Sequence, residues 1–278
     1  MTRAYLLLDS NQIPNLYARL FQLAQNTLPH ALYLNTRYAD LASVGPVLIA
    51  VEPNGPLAKA FTEEWQTRAG IWLETVADEA DLIEHLRSLI HVQLEGDVSA
   101  LFRFYDPRIT RLWLADLMDA ERDRLMGPVC AIRLPGGFYI QQKNSNQPCG
   151  HYAATPWLTL SAQQLEDLCQ GKRDQFAQRM VDHCQRYFPQ CLHGVQAQAQ
   201  QQWAQDCQRS AARHGYSAED EVMCWIGLYA YYGEAFAEGE GHEVYRQLQA
   251  ARNVTPQQRL DDLLGELTRQ LITGEVSA

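Results

Sequence analysis

The chain has 278 residues, 46% of them hydrophobic, enough for a packed core in one large domain or two modest ones and too many for global disorder. A formal net charge of -10 and a pI near 5.3 argue against a general nucleic-acid binder or an anionic-membrane binder, since phosphate groups repel such a surface. Seven cysteines, an odd number without a CxxC pair, read as reduced thiols. Tyr5 to Leu8 is far shorter than a signal-peptide core, and Val222 to Tyr232 falls short of the roughly 20 apolar residues that span a bilayer. A cytoplasmic location is the expectation.

In chain order, Ala4 to Leu8 is a continuous apolar run that predicts a strand buried on both faces. Leu16, Tyr17, Leu20, Phe21 and Ala24 then recur at helical spacing. Ala31 to Leu34 and Pro46 to Val51 read as strands, Leu57 to Arg68 as a helix stopped by Gly70, and Ile71 to Val76 as a further strand. Asp78 is placed to cap a helix that carries Leu82, Leu86, Leu89 and Ile90 on one stripe. Strand Leu101 to Tyr105 follows, then a helix closed by Gly127-Pro128. Val129 to Leu134 and Phe138 to Gln142 form a hairpin around Pro135, Gly136 and Gly137. Strands alternating with helices predict a mixed, largely parallel sheet covered by helices over residues 1–142.

A polar, turn-rich stretch begins at Lys143 to Gly150, and residues 143–156 read as a linker to an all-α lobe over 157–278. Ser161 with Gln164 makes a capping box for a helix whose buried stripe is Leu165, Leu168, Phe176, Met180 and Cys184. Gln196 to His214 is a second helix stopped by Gly215. Ser217 opens a third, with Val222, Trp225, Ile226, Tyr229 and Tyr232, and Tyr245 to Ala250 and Pro256 to Leu271 close the lobe.

The strongest enzymatic reading uses Asp9 and Asp106, both just past strand ends, where an α/β sheet places ligands and two carboxylates hold a divalent metal for small-molecule chemistry. Each also has a local explanation. Asp106-Pro107 is a strong helix start, and Asp9-Ser10-Asn11 is a turn. No glycine-rich loop follows a strand to cradle phosphate. His183, Cys184, Cys191 and His193 lack the spacing of a zinc site, and Cys149 with His151 lacks an orienting acid. The residues imply no catalytic centre, no metal and no cofactor.

The most distinctive segment is Leu101 to Arg108, LFRFYDPR. Alternation puts Leu101, Arg103 and Tyr105 on one face of a strand and Phe102 and Phe104 on the other, so Arg103 needs an acidic partner or an exit to water. Arg108 and Arg111 fall in the first turns of the following helix, where cations oppose the helix dipole; a solvated pair is the ordinary explanation, and salt bridging or recognition the alternative.

LFRFYDPR resembles the signature of the adaptor-chaperone family encoded beside VgrG-type spike and effector genes of bacterial type VI secretion systems. The order around it is similar as well: Leu8-Asp9, Leu32-Tyr33-Leu34, Gly45-Pro46-Val47-Leu48, the helix from Leu82 to Leu89, then Arg103 with Tyr105 to Arg108, and Gly127-Pro128-Val129. The resemblance spans about residues 4 to 130. Ala211 to Tyr216 and Gly233 to Phe236 resemble the helical tail often joined to that domain. The resemblance implies a cytoplasmic protein without catalytic residues, which binds a toxic effector, keeps it stable and delivers it to the VgrG spike. Arg103, Tyr105, Asp106, Arg108 and Arg111, with Trp157, Trp203 and Trp225 of the helical part, are the candidates for a partner surface.

Overall fold

A computed structural model describes residues 2–24, 27–96, 98–143, 148–236, 242–251 and 254–273. The chain divides into two compact units, 1–171 and 172–278. Residues 144–147 of the expected linker lie outside the described residues.

The first unit is organised by β1 (Arg3–Asp9) at the middle of a six-stranded sheet. Its other strands are β2 (His30–Ala31), β3 (Pro46–Ala50), β4 (Gly70–Thr75), β7 (Val129–Arg133) and β8 (Tyr139–Gln141), in the order β2-β3-β1-β4-β7-β8. β1 pairs with β3 from Tyr5 opposite Ala50 to Asp9 opposite Pro46, and with β4 from Arg3 opposite Thr75 to Leu8 opposite Gly70. The apolar run is therefore satisfied along both edges and covered on both faces. Leu6 and Leu8 pack into one core with Val47, Trp72 and Leu20, the last from α1 (Leu16–Leu23). Tyr5 and Leu7 face a second core with Leu48 and Leu73, where α3 (Glu79–Ser88) adds Leu82 and Leu86.

Every pairing in this sheet is antiparallel, which corrects the expectation of a largely parallel one. The helical connections still join strands of like direction: β1 to β2 through α1, and β3 to β4 through α2 (Pro56–Ala60) and the single π-helical turn Phe61–Trp65. In each case a strand of opposite direction is inserted between the two, β3 in the first and β1 in the second. Local alternation of strand and helix reports the direction of successive strands, and says nothing about which strand fills the gap.

Other segments depart from expectation for local reasons. The strand expected at Ala31 to Leu34 ends at Ala31, because the chain turns at once, with Leu34 N–H donating to the Ala31 carbonyl at 3.2 Å. Asp78 makes no cap bond and instead accepts from Arg3 at 3.2 Å. A short hairpin, β5 (His91–Leu94) with β6 (Ser99–Leu101), was hidden behind the apolar end of α3, and a parallel β9 (Thr159–Leu160) completes a three-stranded sheet. The segment after Leu101 is no strand. The helix expected up to Gly127 is two, α4 (Pro107–Leu114) and α5 (Asp119–Met126). Leu158 and Leu160 belong to the core of this unit, with Trp157 and Leu168 packed against it, so residues 157–171 go with the sheet and not with the helices that follow.

The second unit is helical. Its elements are the later part of α6 (Ala162–Tyr187), then α7 (Ala197–Arg213), α8 (Glu219–Tyr232), α9 (Glu243–Ala250) and α10 (Pro256–Thr273). The capping box forms as its sequence predicts: Gln164 N–H donates to Ser161 Oγ at 3.2 Å, and Ser161 N–H to Gln164 Oε1 at 3.0 Å. Gly215 stops α7 at φ 89°, with Tyr216 N–H reaching back to the Ala211 carbonyl at 3.0 Å. α8 is entered at Ala218, one residue later than Ser217, and Glu221 accepts from both backbone N–H groups.

His85 on α3 is fully buried and ties the first unit together. Its Nε2–H donates to the Leu125 carbonyl at 2.9 Å, and its Nδ1 accepts from Gly150 N–H at 3.0 Å, so only the neutral ring satisfies both. Gly127, at φ 54°, lies so close that a Cβ there would sit 2.3 Å from the ring. Burial first of all, with the charge of His151 adding, lowers its pKa to about 4 against a backbone bond that raises it. The folded pKa lies below the unfolded one, so the unfolded chain binds the proton more readily. Stability is full above the ordinary value of 6.5 and falls as pH drops toward 4, by up to about 3 kcal/mol. Denaturant melts at stepped pH are expected to show this loss, and His85→Gln to flatten it between pH 6.5 and 4.

Candidate functional site

The signature residues gather where β1 leaves the sheet. Pairing with β3 and β4 drives the strand into the interior, and Asp9, its last residue, is only 1% exposed. Its Oδ1 accepts from Asn11 N–H at 3.1 Å, the turn its sequence predicts. Its Oδ2 accepts from the Arg103 guanidinium. Arg103 thus finds the acidic partner that an arginine in so apolar a segment requires, while 39% of its side chain stays exposed.

Arg103 is not on a strand. Phe102 N–H donates to the Ile90 carbonyl at 2.7 Å, and the chain then turns, with Asp106 N–H donating to the Arg103 carbonyl at 3.0 Å. The alternation of faces expected over Leu101 to Tyr105 is lost in that turn, and Phe102, Phe104 and Tyr105 are all buried. Asp106 caps α4 by accepting from Arg108 N–H at 2.9 Å, and the Arg108 side chain returns to the same carboxylate through Nε at 2.9 Å and a terminal nitrogen at 2.5 Å. A cation in the first turn of a helix is unfavourable to the dipole, and the carboxylate under it removes that conflict. Thr110 Oγ1–H shares its bond between the Phe104 and Asp106 carbonyls, at 2.6 and 2.9 Å, which fixes the turn to the helix.

Tyr105 extends the site to two more segments. Its hydroxyl lies 3.1 Å from that of Tyr33, both buried, and burial is the main cause that raises the pKa of each. The Tyr33 ring lies against Gly45, where a Cβ would sit 2.4 Å from it. Ser10 Oγ–H donates to the Gly45 carbonyl at 2.7 Å and joins the end of β1 to the start of β3. Burial opposes the charge of Arg103, but Asp9, Tyr105 and Asp106 together outweigh it and raise its pKa. Leu8-Asp9, Tyr33, Gly45-Pro46 and Arg103 to Arg108 are therefore one structural junction.

Neither Asp9 nor Asp106 is an open carboxylate in this arrangement. Each carboxylate is already held by an arginine, and no cluster of three or more His, Cys, Asp or Glu fit to hold a metal exists among the described residues. Cys149 Sγ–H donates to the Asp81 carbonyl at 2.9 Å, and burial raises its pKa. The other candidates scatter. Arg111 donates to the Pro135 carbonyl at 2.6 Å and stacks on Phe138. Trp157 is half-buried, donating to Ser88 Oγ at 2.9 Å under Arg124. Trp203 is half-buried against Tyr229, and Trp225 is fully buried and has no surface to offer a partner.

The spacing of α1 places Phe21 with the buried set, yet it is 90% exposed. With Tyr17, Leu20, Ala24, Thr27, Leu28 and Pro29 it lines an open hollow of about 710 Å³. Phe21 lies about 140° around the helix from Leu16, at the far edge of an apolar arc too wide to be covered whole, and the neighbouring elements cover the side that carries Leu16 and Leu20.

Residues 4–124 match the model of a family described as "Domain of unknown function (DUF4123)", so the chain carries that domain over the whole junction. No curated protein matches the chain, and neither does any solved structure. No described helix is long and apolar enough to cross a membrane.

The Asp9–Arg103 pair predicts an asymmetry between its two single deletions. Arg103→Met strands a buried carboxylate and is expected to cost about 3 kcal/mol, whereas Asp9→Asn frees an arginine that already reaches water and costs about 1 kcal/mol. Chemical denaturation of both variants checks the order.

Proposed function

We propose that this chain is an adaptor-chaperone of a bacterial type VI secretion system. In this reading it binds an effector in the cytoplasm, keeps it stable and promotes its loading onto the VgrG spike, acting by binding and not by catalysis. Of the segments that resemble that family, Leu8-Asp9, Tyr33, Gly45-Pro46 and Arg103 to Arg108 lie within the residues matched to DUF4123 and meet at one junction, where Asp9 pairs with Arg103 and Asp106 with Arg108.

The observation that carries the reading is the apolar surface around α1. Phe21 is 90% and Leu28 78% exposed beside the open hollow, and apolar area of this kind is stabilised by being covered. Burying one such phenylalanine contributes about 2 kcal/mol. An amphipathic segment of a client, with its apolar side turned to Phe21 and Leu28, supplies that cover.

Co-expression with the effector and spike proteins encoded beside the gene tests the reading. The neighbour is expected to be soluble and spike-loaded only in the presence of this chain, and Phe21→Ser to weaken capture by about thirtyfold. A neighbour that is stable and loaded without the chain overturns it.

A further inference from the structure

The core of the helical unit holds three thiols in one cluster: Cys184 on α6 and Cys207 on α7, both fully buried, and Cys191 in the turn between them, half-buried. Cys184 and Cys191 are seven positions apart, yet two successive turns fold one back on the other. Phe188 N–H donates to the Cys184 carbonyl at 2.7 Å, and Cys191 N–H donates to the Phe188 carbonyl at 3.0 Å. The Cys184 thiol is directed to that same Phe188 carbonyl at 3.9 Å, and Cys191 packs against the cluster that holds Cys184, near enough for each thiol to shift the pKa of the other. Trp203 packs against the same cluster as Cys191. On its other side Cys191 lines a cavity of about 350 Å³ with Tyr187, Phe188, Pro189, Ala230 and Tyr231.

We propose that Cys191 is an oxidation site that reacts with a hydroperoxide entering this cavity, and that Cys184 resolves the product into a Cys184–Cys191 disulfide. Neither cysteine belongs to the junction in the first unit, and the inference stands apart from the secretion reading. The two thiols have opposite tasks and opposite surroundings. Cys191 is the one reached from solvent, and its neighbour Cys184 above all, with Trp203 adding, lowers its pKa against the burial that opposes them. The neighbouring Cys191 first of all, with burial adding, raises the pKa of Cys184, which is held as the thiol.

The Cys191 thiolate attacks one oxygen of the hydroperoxide. A sulfur–oxygen bond forms and the oxygen–oxygen bond breaks. The sulfur is oxidised to a sulfenic acid, and the departing alkoxide or hydroxide takes a proton from solvent. The Cys184 sulfur then attacks the Cys191 sulfur. The sulfur–sulfur bond forms, the sulfur–oxygen bond breaks, and the hydroxide leaves as water with the Cys184 proton. The bond ties the end of α6 to the turn that leads into α7.

The test exposes the full reduced chain to hydrogen peroxide, blocks the remaining thiols, and maps the peptides without reduction. The expected result is a peptide pair joined through Cys184 and Cys191, with Cys191 lost about tenfold faster than the exposed Cys169 and Cys224. Cys184→Ser is expected to leave a sulfenic acid at Cys191 that dimedone traps, and Cys184→Ala serves if the serine variant loses helicity by circular dichroism. Cys191→Ser is expected to abolish the joined pair. Loss of Cys169 or Cys224 ahead of Cys191, or full oxidation of Cys191 without a link to Cys184, overturns the proposal.

Discussion

A carboxylate taken almost wholly out of water is costly unless a cation and further donors reach it, and Asp9 ends the strand around which the first unit is built. Because β1 is paired on both edges, its end cannot shift to expose that group. The chain must bring a guanidinium to it from 94 residues away. Arg103 does so only because the backbone turns after Phe102, and that turn holds because Asp106 caps the next helix. The buried charge, the turn and the helix start are thus one requirement, met by residues that are contiguous in LFRFYDPR.

That requirement explains why the segment is distinctive while offering little for chemistry. A metal or a substrate needs lone pairs pointing into open space, and here the carboxylates accept from arginines and backbone N–H groups. The two tyrosines act in the same way, joining hydroxyl to hydroxyl in the interior and extending the junction to Gly45. What reaches the surface is part of the arginine side chains, with 39% of Arg103 and 36% of Arg108 exposed. Structural necessity and surface character coexist in the same side chains.

Much of this could be read from the residues. The double burial of β1, the Asp106-Pro107 helix start and the need of Arg103 for an acid all follow from local pattern. Three things do not, and for one reason. The antiparallel sheet depends on which strand is inserted between two strands of like direction. The exposure of Phe21 depends on which neighbour covers α1. The role of His85 depends on Leu125 and Gly150 coming to its two ring nitrogens, although a lone histidine on a helix carries no mark of it. Each is a relation between distant segments, and periodicity records only the segment itself.

The helical unit shows how an ordinary-looking pattern acquires meaning in three dimensions. Ala211 to Tyr216 and Gly233 to Phe236 are compositionally unremarkable, but each joins a helix stop at a positive-φ glycine to an aromatic residue. Both aromatics land on Trp225, with ring centroids 5.3 Å away for Tyr216 and 5.1 Å for Phe236. The glycines set where each helix ends, so they also set where the aromatic arrives. A tryptophan enclosed in this way fixes the packing of its own unit and is spent on that task. In the adaptor role proposed above, contacts that distinguish one partner from another come from side chains that the fold leaves uncovered, and in the first unit the uncovered apolar ones include Phe21 and Leu28, outside the junction that makes the sequence recognisable.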